Sequence, residues 1–239
     1  MKFPLIPLTA LALCTSSQAD SLSAQLEKRA AQSSPKITPE IKAEFRQGIE
    51  AVKQSGVTVK AKQVGDQAPD FTLTNATGKK ITLSEQLKDG PVVLTWYRGG
   101  WCPYCNITLA ALQKELPAIT ATGASLLALT PELPDKSLST KEKNALSFEV
   151  LSDLNNQVAS QYGLLFKLTP DVEKRYAQFF DLKKFNGANA DTDTLPLAAT
   201  YIIGQDGKIL WAFLHHDYRK RAEPSEISSF LEKLKDQNK

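Results

Sequence analysis

Two cysteines with two residues between them stand in the run Tyr97-Arg98-Gly99-Gly100-Trp101-Cys102-Pro103-Tyr104-Cys105-Asn106. A thiol is a weak nucleophile and a thiolate a strong one, so what such a pair can do depends on what lowers a sulfur's pKa. The apolar run Val92-Val93-Leu94-Thr95-Trp96 precedes the pair and a helical pattern follows it. A strand feeding a helix here sets unpaired N–H groups and the positive end of the helix dipole beside the sulfurs. On these grounds the first cysteine, capping the helix and the more exposed of the two, is the more reactive. The pair then cycles between dithiol and disulfide.

Other chemistries fit these residues less well. A zinc site needs a second pair of ligands, and the adjacent His215 and His216 cannot complete a tetrahedron without help. Attachment of a c-type haem needs His directly after the second cysteine, where Asn106 stands. A purely structural disulfide closing so small a loop constrains the unfolded chain little. Trp101 and Tyr104 flank the thiols, either as packing or as an apolar rim for a partner's disulfide.

A third cysteine, Cys14, lies in an N-terminal stretch that reads as a secretory signal. Lys2 gives a positive start, and Phe3 to Leu13 is apolar but too short to span a bilayer. Ser17-Gln18-Ala19 suits a cut after Ala19, which removes Cys14; the alternative is an uncleaved anchor. A lipoprotein signal would need a small residue before Cys14, where Leu13 stands. The expectation is an exported protein, periplasmic if the source is a Gram-negative bacterium. Such a compartment is oxidising. The mature chain would then keep only the paired cysteines.

Positioning these thiols requires a core, and 239 residues that are 42% hydrophobic and 23% charged suit one globular domain with extensions. A net charge of +3 points to neither nucleic acid nor a membrane surface. Residues 20–37 are polar and read as a mobile leader. Thr38-Pro39-Glu40 is a helix start, Ile41, Phe45, Ile49 and Val52 form its apolar stripe, and Gly56 ends it. This helix is expected to pack on the main domain. Phe71–Thr74 and Ile81–Leu83 predict a hairpin. Val92–Tyr97, Ser125–Leu129 and Phe148–Leu151 predict strands alternating with helices over 105–116, 139–146 and 154–162, hence parallel pairing. Pro117 is expected to end the first of these helices. Asp171–Phe185 reads as one inserted helix followed by a polar loop. Thr200–Ile203 and Lys208–Leu214 around Gly204-Gln205-Asp206-Gly207 predict a second hairpin. A last helix starts at Pro224.

Several stretches together resemble a known family. Val64-Gly65-Asp66-Gln67-Ala68-Pro69-Asp70-Phe71-Thr72-Leu73 is similar to the start of a peroxiredoxin. Phe148-Glu149-Val150-Leu151-Ser152-Asp153, with Val158-Ala159 and Tyr162-Gly163, resembles the third strand and next helix. Tyr201-Ile202-Ile203 with Asp206-Gly207-Lys208 resembles the late hairpin. The resemblance covers roughly residues 62–234 and is to the alkyl hydroperoxide reductase/thiol-specific antioxidant family, in a peroxiredoxin-like branch. It implies an α/β thioredoxin-like fold, with a central mixed sheet flanked by helices. A signal over 1–19, a leader and N-terminal helix over 20–61, and a domain over 62–239 with an insertion before the last hairpin complete the plan.

The resemblance also implies an activity. Peroxiredoxins carry Pro-x-x-x-Thr-x-x-Cys, which lays Cys105 on the attacking cysteine, Cys102 on the Thr and Arg98 on the Pro. Thioredoxins place the attacking cysteine first, at Cys102. The spacing from Tyr97 favours the first register and therefore Cys105. The implied protein is an antioxidant thiol peroxidase reducing hydrogen peroxide or organic hydroperoxides. An external dithiol protein of thioredoxin type would reduce it, and neither metal nor organic cofactor is required. Two alternatives are a thiol–disulfide oxidoreductase acting on exported proteins and a non-enzymatic partner-binding domain with an inert disulfide. Ala198 stands where peroxiredoxins carry an arginine, and Pro196 falls two residues before the thioredoxin proline. Arg98 or Arg219 is expected to supply the missing charge.

Overall fold

The computed structural model describes residues 21–32 and 37–237. The signal segment, its cleavage site and Cys14 lie outside them. Two helices come first, α1 (Leu22–Ala31) and α2 (Pro39–Gln54), then a single turn, α3 (Val57–Lys60). The domain follows as β1 (Thr72–Asn75), β2 (Lys80–Thr82), α4 (Leu83–Asp89), β3 (Val92–Trp96) and α5 (Pro103–Ala121). It continues with β4 (Ser125–Thr130), α6 (Pro134–Lys143), β5 (Glu149–Ser152) and α7 (Gln157–Gln161). The insertion holds β6 (Leu165–Lys167), α8 (Pro170–Phe179), α9 (Leu182–Asn186) and β7 (Thr194–Pro196). The chain ends in β8 (Thr200–Ile203), β9 (Ile209–Phe213) and α10 (Pro224–Gln237).

The seven-stranded sheet has the order β2-β1-β5-β4-β3-β8-β9. Its centre, β3-β4-β5, is parallel, while β1 and β8 join it antiparallel. This is the expected mixed sheet. Successive side chains of a strand face opposite sides, and β3 illustrates the result. Val92, Leu94 and Trp96 enter one core with Leu127, Leu129 and Tyr201, while Val93 enters the other with Leu126, Ala128 and Val150. Helices α5 and α10 cover the second face through Leu109, Leu112, Ile227 and Leu231. A central strand buried on both faces carries no polar alternation, which is why β3 was readable as a continuous apolar run.

The N-terminal helix behaves as expected. Thr38 caps α2 by accepting from the Ile41 N–H at 3.4 Å. It packs on α8, where Arg175 forks onto Glu44 at 2.6 and 2.8 Å. A Cβ on Gly48 would collide with Val172, so the two helices approach at a glycine.

Five expectations need correction. Residues 22–31 form a helix rather than a mobile leader: Leu22 and Leu26 are buried, and the Glu223 carboxylate accepts from the Leu22 and Ser23 N–H groups at 3.1 and 2.6 Å. Pro117 does not end α5, which continues to Ala121. A proline deletes one backbone hydrogen bond, but fully buried Ile119 and the cover of α10 hold the last turn in place. The helix expected over 139–146 starts at Pro134 and ends at Lys143. The helix expected over 154–162 is a 3-10 turn followed by α7, because Asn155 and Asn156 adopt φ of 58° and 55°. The inserted helix breaks into α8 and α9 at Phe180, which is extended, and a two-stranded sheet of β6 and β7 brackets the insertion.

Candidate active site

Beyond β3 the chain turns inward. Tyr97 and Arg98 are buried, and the next residues form a tight loop before α5. A Cβ on Gly100 would strike Thr140, and Gly99 has φ +151°; both positions therefore suit glycine. Asn106 clamps this loop, its side-chain amide donating to the carbonyls of Gly100 at 2.8 Å and Cys102 at 3.1 Å. Cys102 occupies the N-cap of α5 and Pro103 follows at the first helical position, where its missing N–H has no partner to lose. Cys105 lies in the first turn.

The two sulfurs are brought together, and both are free thiols with no exposed surface. The expectation that the first would be the more exposed is therefore not met. What separates them is charge. An Arg98 guanidinium nitrogen lies 3.1 Å from Cys102 Sγ, and its other end donates to the Tyr176 hydroxyl at 2.6 Å. The Tyr218 ring lies 4.0 Å from the same guanidinium. Burial pushes the Cys102 thiol up, but a hydrogen bond from Cys105 and the charges of Arg98 and Arg221 outweigh it, holding Cys102 well below the usual thiol range. Cys105 goes the other way: burial, its hydrogen bond to Cys102 and the negative charge there raise it well above that range. Arg221 reaches Cys105 Sγ at 3.6 Å and also donates to the Tyr218 carbonyl.

Of the two arginines expected to supply the charge absent at Ala198, Arg98 is the one placed against a sulfur. Arg219 instead pairs with Asp217 at 2.7 Å. Arg221 was missed; only the basic run 219–221 hinted at it. The histidines stack on each other with ring centroids 4.4 Å apart, and His215 accepts the Asp217 N–H. Pro196 lies in β7 opposite Leu165, and the described residues contain no cis peptide bond. Trp101 packs on Tyr176 and Phe180, and Tyr104 on Tyr218. Both also line a cleft of about 530 Å³ that opens onto Arg98 and is walled on its other side by α1 and α2.

Glu132 was not anticipated either. It follows β4, is fully buried and accepts the Gly100 N–H at 2.9 Å. Burial pushes its carboxyl up to about 7, the Gly100 bond offsetting only part of the effect. The folded protein therefore holds a proton that the unfolded chain releases from about pH 4.5 upward. Stability falls as pH rises across the window from about 4.5 to about 7, by about 3 kcal/mol for this group. Glu132→Gln keeps an acceptor for Gly100 and is expected to remove that slope. Denaturation midpoints measured at both ends of the window check it, and an unaltered slope would refute the assignment.

A parallel-centred mixed sheet carrying two thiols at a helix N-terminus, one of them with an arginine guanidinium 3.1 Å from its sulfur, defines a thioredoxin-fold protein with a cysteine site. The AhpC/TSA family model matches residues 64–212, more than half of the chain, and the chain belongs to that family. A putative peroxiredoxin bcp of Haemophilus influenzae is 34% identical over 101 residues, 42% of this chain and 64% of that protein. Peroxiredoxin Bcp of Escherichia coli is 28% identical over 102 residues, 43% of this chain and 65% of that protein. The chain thus spans slightly under two thirds of these curated relatives. Among solved structures, peroxidoxin BcpB from Mycobacterium tuberculosis superposes with a TM-score of 0.56 at 22% identity, covering 72% of this chain and 97% of that one. A Plasmodium vivax 2-Cys peroxiredoxin gives 0.58 at 18% identity, covering 74% and 84%. These likenesses establish the fold.

Proposed function

We propose that this protein is a thiol peroxidase in which Cys102 attacks the peroxide and Cys105 resolves the product. The observation that carries the reading is the Arg98 guanidinium 3.1 Å from Cys102 Sγ. A fixed cation there, with the start of α5, favours the thiolate and can also hold the O–O bond against it. The Cys102 thiolate takes the terminal oxygen of the hydroperoxide and the O–O bond breaks. The departing alkoxide or hydroxide takes a proton, leaving a sulfenic acid and an alcohol or water. The Cys105 thiol then displaces water from that sulfenic acid and a disulfide forms. A dithiol protein of thioredoxin type restores both thiols by exchange and leaves as a disulfide. Since Cys102 has no exposed surface, this reading requires a local opening that admits peroxide to its sulfur.

The family register favours Cys105 as the attacker. Its raised pKa suits a resolving thiol better. Peroxiredoxin names among the relatives support the activity. The segment before Asp20 supports export, the periplasm being the destination in a Gram-negative source. Mass spectrometry of both cysteines after sub-stoichiometric hydrogen peroxide tests the assignment, using Cys105→Ser to trap the intermediate. Sulfenic acid on Cys102 is expected; modification of Cys105 first in the wild type reverses the roles, and an inert wild type removes the peroxidase reading. A second reading, thiol–disulfide exchange with exported proteins, draws on the same lowered Cys102 pKa. It predicts that Cys105→Ser accumulates mixed disulfides with proteins.

A further inference from the structure

Helix α1 lies outside residues 64–212, the part that matches the family, and it is lightly held. It has 10 residues, a length at which an isolated helix is marginal in water. Its buried residues are Leu22 and Leu26. At its start the Glu223 carboxylate accepts from the Leu22 and Ser23 N–H groups, and on its flank Lys220 reaches Glu27 at 3.4 Å. A cleft of about 180 Å³ separates it from the segment 217–221, lined by Leu26, Glu27, Ala30 and Arg221 among others, so the packing there is incomplete. The helix nevertheless sits at the thiol end of the fold. It rests on α5, and Arg29 and Ala30 wall the cleft that opens onto Arg98.

The residues that hold α1 flank one that touches a sulfur. Between Lys220 and Glu223 stands Arg221, 3.6 Å from Cys105 Sγ. Among the described residues neither Arg98 nor Arg221 pairs with a carboxylate; their partners are the Tyr176 hydroxyl, main-chain carbonyls and the two sulfurs. The charge facing these two cations is therefore the one that Cys102 carries when it is deprotonated. Closing the disulfide removes that charge. The Cys102 thiolate and the Cys105 thiol give up two electrons and one proton to the oxidant as the S–S bond forms. Two cations are then left beside a neutral site, and an uncompensated charge away from water is costly. Arg98 is buried and held by Tyr176, whereas Arg221 is only half-buried and can turn to water. Its departure disturbs the anchors of α1 on either side.

From this linkage we propose that α1 is a redox-linked strap, docked while the cysteine pair is reduced and released once the pair is a disulfide, so that the oxidised site opens to the dithiol protein that must reach it. The proposal rests on the cycling of the pair, which both readings above share, and not on peroxide as the oxidant. Exchange needs a foreign sulfur brought against the S–S bond, and neither cysteine has exposed surface.

Hydrogen–deuterium exchange read by mass spectrometry tests it on the whole protein, reduced with a phosphine or oxidised with diamide, which takes up the electrons and becomes its hydrazine. Intact mass verifies the disulfide. Amides of α1 are expected to exchange at least about tenfold faster in the oxidised protein, while those of α2 and α10 keep their rates. Arg221→Gln is expected to shrink that difference to about twofold or less, and Arg221→Lys to keep most of it. Cys102→Ser combined with Cys105→Ser is expected to show none. Trypsin cleavage after Lys28 or Arg29, faster in the oxidised protein, is a second readout. Equal α1 exchange in the two states, a difference that Arg221→Gln leaves whole or the double serine variant reproduces, or faster exchange throughout the fold overturns the proposal. So does a pair that diamide cannot close. If hydrogen peroxide leaves the thiols untouched while diamide loosens α1, the peroxidase reading fails and the strap stands.

Discussion

Cys102→Ser is expected to consume peroxide at least about 10³-fold more slowly than the wild type, because removing a nucleophile removes the covalent step itself. Cys105→Ser has a different signature. It retains a first turnover, a burst of about one equivalent of peroxide per protein, and then stalls as the sulfenic acid waits for an external thiol. The asymmetry follows from the surroundings of two sulfurs that sit three residues apart in one helix turn. Arg98 lies against the first at 3.1 Å, whereas burial and its hydrogen bond to Cys102 push the pKa of the second up. Stopped-flow peroxide consumption measures both variants. A burst from Cys102→Ser and none from Cys105→Ser would invert the assignment.

Arg98→Met is expected to lower the second-order rate with hydrogen peroxide at neutral pH by about 10²-fold, the size of loss that removing one fixed donor at a reacting centre brings, because the cation that favours the thiolate is gone. The sign can be worked out from the causes. Burial raises the Cys102 pKa, and Arg98 is among the groups that reverse it. With Arg98 gone, burial dominates and the pKa moves toward the alkaline side. The wild-type rate should stay flat from alkaline pH down to the depressed pKa and fall only below it. The variant's rate should still be climbing above neutrality. Arg98→Lys restores a charge but not the fork that reaches Cys102 and Tyr176 together, so it recovers only part of the rate. A pH–rate profile identical to the wild type in Arg98→Met would remove arginine from the account.

Local signals in the chain were strong where chemistry and capping coincide. The cysteine pair at the start of α5, the Thr38–Pro39 start of α2, and the hairpin around Asp206–Gly207 were all legible from neighbours in sequence. The parts that were not legible depend on partners far along the chain. Arg221 reaches a sulfur 116 residues away, and Tyr176 reaches Arg98 across 78. Glu132 reads as an ordinary loop carboxylate until the fold buries it. The α1 helix is polar in composition and gains its order from Glu223 and from packing on α5, neither visible locally. Pro117 carries a reliable stop signal that tertiary cover overrides. Only the pattern of Asn155-Asn156, residues tolerant of positive φ, could have warned of the broken helix that follows β5.

The complete enclosure of both sulfurs bears on how the protein would survive an oxidative burst. A sulfenic acid becomes a permanent sulfinic lesion only if a second oxidant molecule arrives before a thiol does. If Cys105 resolves as proposed, a thiol one helical turn away competes with a second oxidant for the sulfenic acid, and the lack of exposed surface at both sulfurs favours the intramolecular route. Such a molecule would idle as a repairable disulfide when its reductant runs short, instead of being consumed.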